Sequence, residues 1–183
     1  MSIALLLVIA TPMMLAFVTS VRYIGKTDEK FTDTRGALLS AAYFSSDVAS
    51  SGTITLNDSS PCGGTGTGIT AVVSFNWTDS SVSTTYKSSW ILDASKATNQ
   101  QLRRKVCLNG SSTPTSQSVP AVYLGGAPVV SCYDPGNVAD ATCSTSTRWV
   151  KMVITTAADS PTPDTPSPPL VTFTLEGTRR STK

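Results

Sequence analysis

KTDEKFTDTRGALLSAAYFSSDVASSG, residues 26–52, is the stretch whose reading decides the fold. Phe31, Leu38, Ala42 and Ala49 recur at spacings of seven, four and seven, which marks one face of an amphipathic helix. Lys26 with Glu29, and Lys30 with Asp33, stand three residues apart and pair on the exposed side. Gly36 costs about 1 kcal/mol relative to alanine, too little to end the helix. The stop signal comes at Ser50-Ser51-Gly52.

Upstream lies MSIALLLVIATPMMLAFVTSVRYIG, residues 1–25, with no charged side chain between Ile3 and Val18. Extended to Tyr23, whose ring suits an interface, this run approaches the roughly 20 residues that cross a bilayer. Pro12 breaks a backbone bond in an ordinary soluble helix, but neighbouring helices in lipid re-satisfy the freed carbonyl. Two readings stay open. One is a cleaved signal peptide, with Val18-Thr19-Ser20 as a weak site, although the basic region that should precede the apolar run is missing and Arg22 follows it. The other, which the anatomy favours, is an uncleaved segment in a membrane or helix bundle. The run continues into residues 26–52 without a breaker, so the expectation is one helix of about 45 residues, apolar all round to Tyr23 and one-sided beyond.

Downstream of Gly52 the pattern turns strand-like. GTITLN is short and β-branched, and in ITAVVSFNWTD the residues Val73, Phe75 and Trp77 alternate. Further strands are expected at TYKSSWILD, QLRRKVCLN, AVYLG, TRWVKMVITT and LVTFTLEG. The proline-rich stretch 159–169 reads as a stiff solvated loop in a wide hairpin rather than a polyproline docking motif. The expected fold class is therefore α+β: a long N-terminal helix packed on a small antiparallel β-domain. Residues 1–23 would form its membrane-embedded half, 24–51 its amphipathic half, and 52–183 the β-domain.

Composition narrows the function. The 183 residues carry a formal net charge of +2 and only 14% charged side chains, with abundant serine and threonine. No basic stripe exists to neutralise a phosphate backbone, so nucleic acid is not an expected partner. Cys62, Cys107, Cys132 and Cys143 form an even set without a CxxC pair, and there is no histidine. Disulfides in an oxidising compartment fit this better than zinc. Of the three connectivities, the expected one joins Cys132 to Cys143 across CYDPGNVADATC, and Cys62 to Cys107.

An apolar N-terminal helix with a proline, an amphipathic continuation and then an antiparallel sheet resembles the type IV pilin and pseudopilin family. DEKFTDTRGALLSAAYFSSDVASSG is similar to the stretch after the apolar segment in minor pseudopilins of the J-like kind, where an Arg-x-Ala-Leu pattern precedes an aspartate near the helix end. VSFNWTD, LRRKVCLNG, VVSCYDP and VTFTLEGTRR resemble the β-domains of such proteins from Gram-positive actinobacteria. The resemblance implies a non-enzymatic filament subunit that primes or caps assembly. Its partners would be other pilin or pseudopilin subunits, membrane lipid and the assembly machinery of the cytoplasmic membrane. It also implies single-pass membrane residence with the β-domain outside. Ile3, Leu6, Val8, Pro12, Leu15 and Phe17 would then supply membrane and filament packing. Family members carry a leader ending in glycine and a glutamate at the fifth mature position. Neither stands in the apolar segment, and both are expected upstream of Met1.

Other chemistries find less support. Without histidine, neither a Ser-His-Asp nor a Cys-His arrangement can be built, and carboxylates such as Asp79, Asp93 and Asp134 are scattered over turns. No enzyme activity and no cofactor are expected. Asp134, Asn137 and Asp140 offer a weak calcium candidate, outweighed by an Asp-Pro-Gly turn. The Asn-x-Ser/Thr triplets at Asn57, Asn76 and Asn109 matter only in a eukaryotic secretory pathway. The runner-up function is an anchored extracellular module that binds carbohydrate or protein. Trp77, Trp90, Trp149, Tyr86 and Tyr123 are its candidate contact residues. Two tryptophans together and exposed on one sheet face would favour it, and complete burial would oppose it.

Overall fold

β-Branched and aromatic residues at alternating positions dominate the chain beyond Gly52, and they make strands because branched and ring side chains pack well on a pleated surface. A computed structural model describes residues 37–96, 99–157 and 170–180. The chain divides into two compact units, Met1–Arg35 and Gly36–Lys183, and every described residue lies in the second.

The described residues contain one helix, α1 (37–50), and nine strands. Strands β1 (Thr53–Leu56), β2 (Ile69–Asp79), β3 (Thr84–Asp93), β4 (Gln101–Leu108) and β5 (Ser116–Ala121) form one antiparallel sheet in sequence order. Strands β6 (Val129–Tyr133), β7 (Ala139–Asp140), β8 (Trp149–Ala157) and β9 (Leu170–Thr178) form a second antiparallel sheet in the order β7-β6-β8-β9.

The expected fold class is corrected by this architecture. The described chain is mostly β, in two sheets rather than one, and its helix is short instead of long. Single-pass membrane residence is corrected too: among the described residues no helix is long and apolar enough to cross a membrane. The apolar segment 3–18, on which that expectation stood, and the loop 159–169 lie outside the described residues.

The face that α1 buries is also not the one its hydropathy marks. Leu38 and Ala42 are exposed, whereas Ser40, Phe44, Asp47 and Val48 are buried, followed by Ser51 just past the helix end. These positions step by four, three, one and three residues, so they share one helical face. Three of the five are polar, which is why a search for apolar periodicity passes over them.

One hydrophobic cluster joins the three elements. Phe44 and Val48 of α1 meet Ile54, Val73, Phe75, Trp90 and Leu102 of the first sheet and Val150, Met152, Ile154 and Leu175 of the second. Phe44 sets its ring edge-on to Phe75 at 5.6 Å and to Trp90 at 5.4 Å between centroids, a preferred arrangement for aromatic quadrupoles. On β9, Gly177 makes room for the helix: a Cβ there would stand 2.6 Å from the Cβ of Val48. The far face of the first sheet is covered by the loop through Cys62, whose amide donates to the Ser89 hydroxyl. Cys62 is bonded to Cys107 of β4, and Cys132 of β6 to Cys143.

Candidate functional site

A helix that carries a carboxylate on its buried face must bring partners for it, because an uncompensated charge in a core costs several kcal/mol. Asp47 is 2% exposed. Its Oδ2 accepts from the Ser88 hydroxyl at 2.7 Å, Trp90 Nε1 at 2.9 Å and Arg104 Nε at 2.8 Å, and its Oδ1 accepts from Arg104 Nη2 at 2.6 Å. The alternation of β3 and β4 explains the convergence. Ser88 and Trp90 are two apart on one strand, Arg104 sits opposite Trp90 on the next, and all three therefore point to the helix side. The bidentate Arg–carboxylate fork fixes the helix both in position and in rotation.

The second clamp is Arg179, 7% exposed, just beyond β9. Its Nε donates to the Ser51 carbonyl at 3.0 Å, its Nη2 to the Gly52 carbonyl, and its Nη1 to the carbonyls of Ser144 and Thr145. A cation at a helix C-terminus meets the negative end of the helix dipole and satisfies carbonyls that the helix leaves unpaired. Asp47 thus ties α1 to the first sheet, and Arg179 ties its end to the second.

With that face fixed, the residues α1 leaves to solvent are defined. Leu38, Leu39 and Tyr43 are 68%, 47% and 40% exposed. The Arg104 guanidinium lies 4.8 Å from the Tyr43 ring centroid, a cation–π contact at the edge of the Asp47 cluster. The exposed helix face is the candidate assembly surface. The Asp47–Arg104 cluster, to which sequence reasoning gave no role, is what aims it. The available signal was an aspartate on the helix with Ser40 and Phe44 seven and three residues before it.

The sequence-predicted residues fall as follows. Ile3, Leu6, Val8, Pro12, Leu15 and Phe17 lie outside the described residues. The four cysteines form the two bridges already given. Asp134 and Asp140 serve their own turns. Asp134 Oδ1 accepts from the amides of Gly136 and Val138. Asp140 accepts from the amides and hydroxyls of Thr142 and Ser144 and from the Thr147 hydroxyl. The Ser144 hydroxyl and amide, then Thr142, hold the Asp140 carboxyl far below the usual aspartate range. Asn137 adopts a left-handed backbone, φ 62°, in the same turn. Among the described residues no group of three or more Cys, Asp or Glu side chains is placed to hold a metal ion.

The aromatics divide. Trp90 is buried in the core. Trp77 stacks on Tyr86 across β2 and β3 at 5.3 Å, and Trp149 on Tyr133 across β8 and β6 at 6.0 Å, each half-buried and in a different sheet. No two tryptophans share an exposed sheet face, and they are not all buried, so neither of the two stated conditions is met. An open cavity of about 440 Å³ is lined by Ser45, Trp149, Glu176, Gly177 and Thr178. No protein-family model, curated protein or solved structure matches the chain.

Proposed function

We propose that the chain is a non-enzymatic assembly subunit of an extracytoplasmic filament of the minor pilin or pseudopilin kind, and that it contacts its neighbours through the outer face of α1. The observation that carries this reading is the asymmetry of the helix. One face is held by a buried Asp47–Arg104 fork and by Phe44, while the other offers Leu38, Leu39 and Tyr43 to solvent. A lone exposed leucine needs no explanation, but Leu39 and Tyr43, one turn apart on a helix fixed in rotation, with Leu38 exposed beside them, make a surface suited to a partner. Two disulfides suit an oxidising compartment outside the cytoplasm.

The test is a shear assay in the native cells. Surface filaments are sheared off and probed for the chain, comparing wild type with the double variant Leu38→Asp, Leu39→Asp. The wild type is expected in the sheared filament fraction and the variant in the cell fraction at equal total amount. Absence of the wild-type chain from sheared filaments contradicts the proposal.

A further inference from the structure

We propose that the outer face of the second sheet, together with the cavity beside it that Ser45 of α1 and Gly177 also line, carries a binding site for a neutral saccharide, built on Trp149 and the Glu176–Lys151 pair. The register sets its layout. Tyr133, Trp149 and Thr178 stand opposite one another on β6, β8 and β9, and Ser131, Lys151 and Glu176 form the next row on the same face. Val150, Met152 and Leu175, on the intervening positions, fill the core, so this first set looks outward.

Three features fix the ligand class. Trp149, half-buried and stacked on Tyr133, brings a broad apolar ring to a cavity otherwise lined by Ser45, Thr178, Glu176 and Gly177, the mix of one apolar platform and several polar groups that holds a sugar ring. The volume of about 440 Å³ lies toward the small end of ligand sites. Glu176 Oε1 is 3.6 Å from Lys151 Nζ, with side chains 67% and 40% exposed, so an acceptor and a donor stand side by side in water. Vicinal hydroxyls, each able to donate and accept, match such a pair. A cationic ligand would compete with Lys151 for the carboxylate, and an anionic one would face Glu176. The site does not rest on the assembly reading, because Leu38 and Leu39 take no part in it.

The test uses the full-length, disulfide-intact, ¹⁵N-labelled chain and the indole N–H signals of its three tryptophans. Cellobiose, maltose, xylobiose and diacetylchitobiose are titrated to about 10 mM, beyond the weakest affinities of interest. The expected result is a saturable shift of the Trp149 signal with at least one disaccharide. Trp90, bonded to Asp47, should stay fixed and report the intact fold. Glu176→Gln should weaken that binding about tenfold, the loss of one good hydrogen bond. Co-sedimentation with cellulose, chitin and peptidoglycan separates sources: binding to a polymer that depends on Trp149 identifies a surface glycan, and a shift with soluble sugar alone identifies a free one. If no sugar moves the Trp149 signal and no polymer is bound, the site is overturned and Trp149 and Tyr133 only brace the sheet. Binding that survives Trp149→Ala overturns it equally.

Discussion

At the scale of single residues, the fold depends most on a carboxylate that no hydropathy pattern marks. Asp47 accepts four hydrogen bonds from three residues of the first sheet, and Arg104 supplies two of them. Arg104→Ala should therefore destabilise the domain by about 3–5 kcal/mol, because it leaves a buried carboxylate without its counter-charge. Chemical denaturation of the two proteins checks this, and a loss below about 1 kcal/mol would show the fork to be dispensable. Gly177→Ala should cost about 1–3 kcal/mol, since its Cβ would collide with the branched carbon of Val48. Asp140 gives a pH dependence whose sign follows from its lowered pKa. The stability it adds is present above about pH 4, the unfolded aspartate range, and is lost as the pH falls toward the folded value. Thermal melts should show wild type above Asp140→Asn at neutral pH, with the gap closing as the solution is acidified. These residues were poorly legible beforehand. A polar side chain gives no periodic signal, and its role exists only when strands distant in sequence converge on it.

Among elements, legibility follows how strongly a segment alternates and how deeply it is buried. Strand β2 occupies residues 69–79, the bounds its alternating Val73, Phe75 and Trp77 suggested. Segments β3, β4, β8 and β9 likewise lie where branched and aromatic residues cluster. Strand β5, SQSVPA, gave no such signal. It sits at a sheet edge, where the missing amide hydrogen of Pro120 is tolerated and few apolar residues are needed. AVYLG, read as a strand, supplies only Ala121 to β5, and its remainder crosses to the second sheet, where Leu124 bridges Thr156. The helix was misjudged in rotation because Leu38 and Ala42 were counted as inward, whereas the cluster at Asp47 turns them out. The bridges can be ranked by the loops they close. The Cys62–Cys107 link spans 45 residues and Cys132–Cys143 spans 11, so chain entropy assigns them about 4 and about 3 kcal/mol. Cys62→Ala with Cys107→Ala should lower the melting temperature more than Cys132→Ala with Cys143→Ala. The reverse order would mean that strain or residual structure outweighs loop length.

For the molecule as a whole, the described unit is held by a single core to which two sheets and one helix all contribute. The even cysteine count and the low charge pointed to a stapled extracytoplasmic domain, and the division into two sheets was not foreseen. A β-rich segment list does not say which strands pair, and the change of sheet falls at the weakly patterned residues between β5 and β6. The functional proposals use different residues of this arrangement: Leu38, Leu39 and Tyr43 of α1 for assembly, and Trp149, Glu176 and Lys151 of the second sheet, with Ser45 of α1 lining the cavity, for a saccharide. Both require α1 to be an integral part of the β-unit, since a loose helix could neither present Leu38 and Leu39 in one orientation nor bring Ser45 to the cavity. The most direct test is hydrogen exchange on the full-length chain, resolved to peptides. Amides of residues 41–50 should exchange as slowly as those of β3 and β4 and open together with them, and Arg104→Ala should accelerate both groups. If the helix amides exchange rapidly while β3 and β4 stay protected, the helix is not locked to the sheets.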